Sequence, residues 1–198
     1  MTQLMDQEQR LDFLIRYLLN EKEEYQNMEI PADLPCKQRL LRSLMNVRPP
    51  VPASGDFLKV QDAYLQERLA ERGITRLEDL TPAQSGLYLW QGDITTLAVD
   101  AIVNAANGRM LGCFVPCHGC IDNAIHTYAG VQLRMECANI MAGQKKEEPT
   151  GKAKITGAYN LPCRYVLHTV GPVISGAVTK TDHEQLASCY RSCLELAA

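Results

Sequence analysis

The spacing of apolar residues changes once along this 198-residue chain, near Gly86, and that change limits the fold more than any other feature. Before it, apolar positions recur at three- and four-residue intervals. Leu11, Leu14, Ile15, Leu18 and Leu19 mark one face of a first helix, with Asp6 and Gln9 spaced as a capping box. Leu40, Leu41 and Leu44 mark a second helix after Pro35, which must stop near Arg48 because Pro49 and Pro50 cannot continue it. The Pro-rich stretch 48–55 is a linker or corner. Phe57, Leu58, Tyr64, Leu65 and Leu69 outline a third helix that ends at Gly73. The expectation is an all-helical region over residues 1–85.

Beyond Gly86, short apolar runs take over. Residues 87–90 and 101–103 are nearly continuous in apolar character, as strands covered on both faces are. Residues 153–159 and 164–170 supply two further strands, after a helical stretch over 121–142 interrupted near Gly130. Leu186, Tyr190, Cys193, Leu194 and Ala197 give a last helix over 182–198. Strands alternating with helices predict an α/β layer fold over residues 86–198. The chain stops without a C-cap or trailing loop, so this unit is expected to be truncated at its C-terminus.

Charge and composition exclude several classes of partner. With 20 Lys+Arg against 23 Asp+Glu, the formal net charge of −3 leaves no spare positive field for a nucleic-acid polymer. No apolar run approaches the roughly 18 residues of a bilayer-spanning helix, and the polar start at residues 1–9 is not a signal peptide, so no membrane partner is expected. Eight cysteines in a chain of this size read as reduced cytoplasmic thiols, and clustered ones suggest metal.

The densest cluster is Cys113-Phe-Val-Pro-Cys-His-Gly-Cys120, three thiols and an imidazole in eight positions. Zinc takes thiolate sulfur and imidazole nitrogen, and a loop bearing Pro116 and Gly119 can bend several side chains toward one point. No comparably dense second cluster is visible, and three protein ligands with an open fourth position is the arrangement of a catalytic zinc. The ligand choice is Cys113, His118 and Cys120. Cys117 competes, because Cys117-x-x-Cys120 is both a chelating and a redox spacing. The bland alternative is a buried loop of small thiols around a hydrogen-bonded histidine.

Two polar segments directly follow apolar runs: Gln91-Gly-Asp-Ile94 and Val103-Asn-Ala-Ala-Asn107. Polar groups at strand ends in an α/β sheet are where ligands usually bind. An aspartate there can accept from an exocyclic amine, and carboxamides can grip ribose hydroxyls. Singly, Asp93, Asn104 and Asn107 read as turn residues holding the backbone; together they suggest a site. Cys189 and Cys193 have the spacing of a core-facing stripe, Cys36, Cys137 and Cys163 read as packed small hydrophobes, and His168, inside an apolar strand, reads as structural. His126 and His183 receive no role.

Gly92-Asp-Ile-Thr95, Asp100-Ala-Ile-Val-Asn-Ala-Ala-Asn107, Asp122-Asn-Ala-Ile-His126, Thr150-Gly-Lys-Ala-Lys-Ile-Thr156, Tyr159-Asn-Leu-Pro162 and Tyr165-Val-Leu-His-Thr-Val-Gly-Pro172 together resemble a macrodomain, the ADP-ribose-binding module. The resemblance implies a three-layer α/β/α unit with a mixed central sheet. Where ordinary macrodomains carry a glycine run before the Asp-x-Ala-Ile-His segment, this chain has its Cys/His loop. That loop and the helical extension are similar to the zinc-dependent microbial branch, whose members are ADP-ribosyl hydrolases. Such genes often accompany a lipoate-linked sirtuin that modifies a glycine-cleavage H-like lipoyl carrier protein.

Carried over by position, the resemblance implies Asp93 and Ile94 at the adenine, Asn107 at the distal ribose, Asp122 as the catalytic acid, and Cys113, His118 and Cys120 on Zn2+. Asn104 is expected to hold a loop. The implied reaction is removal of mono-ADP-ribose from a protein side chain, with a carboxylate the expected linkage, by cleavage at the anomeric carbon of the distal ribose. The rivals are a non-catalytic ADP-ribose reader with a structural zinc, and a thiol redox or zinc-storage module built on Cys117 and Cys120.

Overall fold

A computed structural model describes residues 5–198. The helical periodicity resolves into α1 (Gln7–Asn20), α2 (Leu34–Val47) and α3 (Gly55–Arg72). Each begins on a side-chain cap. The Asp6 carboxylate accepts from the Gln9 amide at 2.8 Å while the Gln9 side chain accepts from the Asp6 amide at 3.0 Å, the reciprocal pair expected from their spacing. Asp33 and Ser54 cap α2 and α3. Leu11, Leu14, Ile15, Leu18, Leu41, Leu44, Phe57 and Leu65 form one core, which draws in Val131 from outside the three helices.

The segment after α3 departs from an all-helical reading. Residues 75–84 hold two short strands, β1 (Thr75–Arg76) and β2 (Pro82–Gln84), around a single 3-10 turn. β1 pairs in parallel with β4 (Leu97–Ala98), whereas β2 pairs antiparallel with β3 (Leu87–Tyr88) in a surface hairpin. The run 87–90, expected to be covered on both faces, is open to solvent: Leu87 is 55% exposed and Leu89 90%. Four apolar residues are too few to tell a covered strand from a hairpin edge, and here, among the described residues, the only sheet partner is the short exposed β2.

The α/β unit is built on β5 (Ala101–Ala106), β6 (Ala153–Gly157) and β7 (Tyr165–Val170), in the order β5-β7-β6. β5 runs parallel to β7 and β6 antiparallel to it, a mixed sheet. Alternation along the strands sends Ile102, Val166 and Val170 into a core with Ile125 of α4 (Ile121–Ala129) and Leu133 and Cys137 of α5 (Val131–Gln144). The opposite parity, Val103, Ala105 and Thr169, faces Cys189 and Cys193 of α6 (Lys180–Ala197). Helices thus lie on both faces, the three-layer arrangement, with Val103 of β5 left partly open to solvent beside α6. The Cys189–Cys193 stripe packs as its spacing predicts, but Cys36, read as a packed small hydrophobe, is exposed at the start of α2.

The helical extension is fastened to the α/β unit by buried polar contacts. Gln61 of α3, fully buried, accepts from the Val131 amide at 2.9 Å, satisfying a donor at the start of α5. Arg134 of α5 donates to the Met45 carbonyl at 3.1 Å, to the Arg48 carbonyl and to the Leu111 carbonyl at 2.8 Å, so one guanidinium ends α2 and ties down the loop after β5. Asn46 donates to Thr127 Oγ1 of α4 at 2.9 Å.

Candidate functional site

β5 delivers the chain at Asn107 into a loop, residues 107–120, that feeds α4. Asn107 organises its start: its Oδ1 accepts from the Arg109 amide at 3.0 Å and its Nδ2 donates to the Gly112 carbonyl at 3.2 Å. Gly112 has φ +77°, and a Cβ there would lie 2.7 Å from the His126 ring, so only glycine lets the loop settle on that imidazole.

Asp122 stands in the first turn of α4, where the helix dipole favours a carboxylate. It is buried, and both of its oxygens are held. Asn104 Nδ2 donates to Oδ1 at 2.8 Å, and Asn107 Nδ2 reaches Oδ2 at 3.4 Å. Burial pushes the carboxyl above its ordinary value, opposed by the Asn104 hydrogen bond, the Arg134 charge and the Asn107 hydrogen bond. A carboxyl raised by burial and steered by two amides suits proton transfer or water orientation.

Cys113, His118 and Cys120 converge beside it, with their ligand atoms all within 4.8 Å of one another. Cys113 Sγ lies 3.6 Å from His118 Nδ1, and Cys120 Sγ caps α4 by accepting from the Asn123 amide at 3.4 Å. The Cys120 thiol is pushed up by burial and by its neighbours Cys113 and Asp122. Two thiols and an imidazole this close are a donor set that fits zinc, and a divalent cation is the charge that would draw the thiolates out. Cys117 lies outside this group. It takes φ +52°, and its Sγ turns to α2, 3.2 Å from Ser43 Oγ and 3.5 Å from the Arg39 carbonyl.

α2 also holds the loop at two further points, and the start of α4 at a third, that sequence reading missed. Asn46 Oδ1 accepts from the Cys117 amide at 2.9 Å, and Arg42 donates to the His118 carbonyl at 3.0 Å and to Asn123 Oδ1 at 2.8 Å. These partners are 71 to 81 residues away in sequence, beyond any local signal.

Asn104, expected to hold a loop, lies inside β5 and is fully buried. Its amide bridges Asp122 and His168 Nδ1, the latter at 3.1 Å. Nδ2 can only donate, so with Asn104 in this orientation His168 Nδ1 accepts, which puts the ring proton on Nε2, facing Thr156 Oγ1 at 2.9 Å. His168 is structural, as read, and burial pulls its pKa down to about 4. His126, given no role, is buried, and among the described residues neither ring nitrogen has a hydrogen-bond partner; burial, then His168 and Arg134, holds its pKa well below the ordinary value. Its Nε2 lies 3.6 Å from Asp122 Oδ1. The Asp122–His126 spacing of four on one helix was the available signal.

Asp93 and Ile94 lie on a separate turn. Asp93 Oδ1 accepts from the Thr95 amide at 2.9 Å and from Thr95 Oγ1 at 2.6 Å, while Oδ2 pairs with Arg72 at 3.0 Å. Ile94 packs against the core of the α/β unit. Among the described residues, no hydrogen bond joins this turn to Asn107 or Asp122, whereas Asn107 bonds Asp122, which stands two residues from Cys120 and close enough to raise its thiol pKa.

A mixed sheet between helical layers, with a polar loop at the end of β5 leading into an acid on the next helix, defines a macrodomain-type module. The family model for the Macro domain matches residues 103–198. A protein-ADP-ribose hydrolase of Treponema medium is 60% identical over 198 residues, covering 98% of this chain and 76% of that protein. One from Staphylococcus aureus (strain MRSA252) is 48% identical over 199 residues, covering 100% and 74%. The crystal structure of a Trypanosoma brucei macrodomain in complex with ADP-ribose aligns with a TM-score of 0.53 at 33% identity, covering 79% of this chain and 67% of that one. The chain belongs to the macrodomain family.

Proposed function

We propose that this protein is a zinc-dependent hydrolase that removes mono-ADP-ribose from modified protein side chains, carboxylate-linked ones in particular, by cleavage at the anomeric carbon of the distal ribose. The observation that carries the reading is the adjacency of three functions at the start of one helix. Cys120 caps α4, Asp122 occupies its first turn, and Asn107 touches Asp122. The hydrolase relatives supply the reaction class.

In this reading Asn107 fixes the ribose, and Asp122 orients or deprotonates the attacking water; holding both near the anomeric centre makes attack nearly unimolecular. Asp93 and Ile94 would receive the adenine. Cys113, His118 and Cys120 would hold zinc, which supplies either a water of lowered pKa or an electrophile for ribose and leaving-group oxygens. Residues 86–198 would form the catalytic unit and residues 1–85 its extension, helical through α3 and joined to that unit by the short strands β1 and β2. Among the described residues no helix is long and apolar enough to cross a membrane, and all eight cysteines are free thiols; we assign the chain to the cytoplasm. A glycine-cleavage H-like lipoyl carrier is the substrate that the family resemblance implies.

The test is ADP-ribose release from a modified protein, assayed with and without chelator. Chelator-sensitive release restored by zinc supports the reading. ADP-ribose binding without release, in zinc-loaded protein, replaces it with a reader.

A further inference from the structure

A cavity of about 400 Å3 opens between α2, α3 and α4 on the flank of the Cys/His loop. Its rim carries three guanidiniums, Arg39, Arg42 and Arg68, with Tyr64, Tyr128 and Cys117 beside them and no acidic residue in its lining. Among the described residues Arg39 has no ion pair, and Arg42 is engaged only with neutral acceptors, Asn123 Oδ1 and the His118 carbonyl. Arg68 pairs with Glu71, which lies outside the lining. The cavity is therefore positive on a chain whose formal net charge is −3.

A surface that is locally opposite in sign to the whole molecule steers an oppositely charged partner and fixes its register. Planar guanidinium forks suit carboxylates, and no sulfur or imidazole set of the kind that holds metal is present, since Cys117 is turned to Ser43 and the Arg39 carbonyl. Position adds to chemistry. Cys117 belongs to the same loop as His118, and Arg42 reaches from the cavity rim to the His118 carbonyl. A segment seated here would lie against the loop that borders Asp122.

We propose that this cavity receives an acidic segment, neighbouring Asp or Glu side chains, on the surface of the modified protein, and so selects protein substrates separately from the nucleotide. The proposal rests on the hydrolase reading for its substrate, but its binding event is independent of turnover. Carboxylates would pair with Arg39 and with Arg68, the latter by sharing it with Glu71 or replacing that partner, while Arg42 stays engaged with the loop.

The probe is a fluorescein-labelled octaglutamate peptide, followed by anisotropy against the full chain, with octaglutamine as the neutral control. The test variant is Arg39→Glu with Arg68→Glu, both outside the proposed catalytic and zinc-binding residues. Wild-type protein is expected to bind octaglutamate in preference to octaglutamine, with affinity falling as salt rises, and the double variant to lose about tenfold or more. ADP-ribose affinity by calorimetry should be unchanged in the variant, which also reports that it is folded. Equal binding of octaglutamate to both proteins, or none to either, overturns the proposal. Displacement of the peptide by inorganic phosphate at concentrations far below those of sodium chloride also overturns it, in favour of a small-anion site. Intact peptide binding in a protein that releases no ADP-ribose would instead remove the hydrolase reading and leave the acidic-segment site standing.

Discussion

Asn104 donates to Asp122 Oδ1 at 2.8 Å from inside the central sheet, so the orientation of the proposed catalytic acid is set by a residue with no access to solvent. The same amide group donates to His168, whose other nitrogen faces Thr156. Asn104 thus links the carboxylate of Asp122 to a buried histidine on the neighbouring strand.

Replacing Asn104 by Ala removes a hydrogen bond that lowers the Asp122 pKa and leaves a buried carboxylate oxygen without its donor. The expected result is a loss of about 1–3 kcal/mol in stability and an acid limb of the pH-rate profile displaced to higher pH. Denaturant melts and the pH dependence of ADP-ribose release check both; an unmoved acid limb would remove Asn104 from the control of Asp122.

Stability should fall on mild acidification. His168 has a folded pKa near 4 against an ordinary 6.5, so the unfolded chain takes up a proton between those values and the folded chain does not. Stability from this group is full above 6.5 and lost as pH falls toward 4, by about 3 kcal/mol. His126 is lowered too and acts in the same sense, whereas Asp122, raised by burial, acts in the opposite one. Comparing wild type with His168→Gln across this range isolates the contribution: the variant should show the shallower decline.

Arg42→Ala should loosen the Cys/His loop without touching a donor atom. Hydrogen-bonded partners of a metal site commonly account for about 10–100-fold in affinity, and Arg42 holds both the His118 carbonyl and Asn123. Zinc affinity measured against a competing chelator should weaken within that range, and the apoprotein thiols should react faster with a disulfide reagent. Unchanged values for both would show that α2 merely packs nearby.

What was legible in the sequence is what depends on near neighbours. The capping pair Asp6–Gln9, the stop before Pro49 and the break at Gly130 all follow from local backbone chemistry, and each stands where expected. The eight-residue Cys/His loop was visible because its donors fall within eight consecutive positions, and the structure brings Cys113, His118 and Cys120 together. The orientation of Cys117 was not legible, because Ser43 and Asn46 set it from another helix. The burial of Asn104 depended on which face of β5 meets α4. The surface hairpin at 82–88 misled through an apolar run too short to report its own burial.

The central claim is that an ion held by Cys113, His118 and Cys120 drives cleavage beside Asp122. Its most direct test measures zinc per chain, ADP-ribose affinity and ADP-ribose release together in wild type and Cys113→Ala. The account predicts that the substitution removes zinc and release while ADP-ribose still binds. Release at the wild-type rate from zinc-free Cys113→Ala would contradict it.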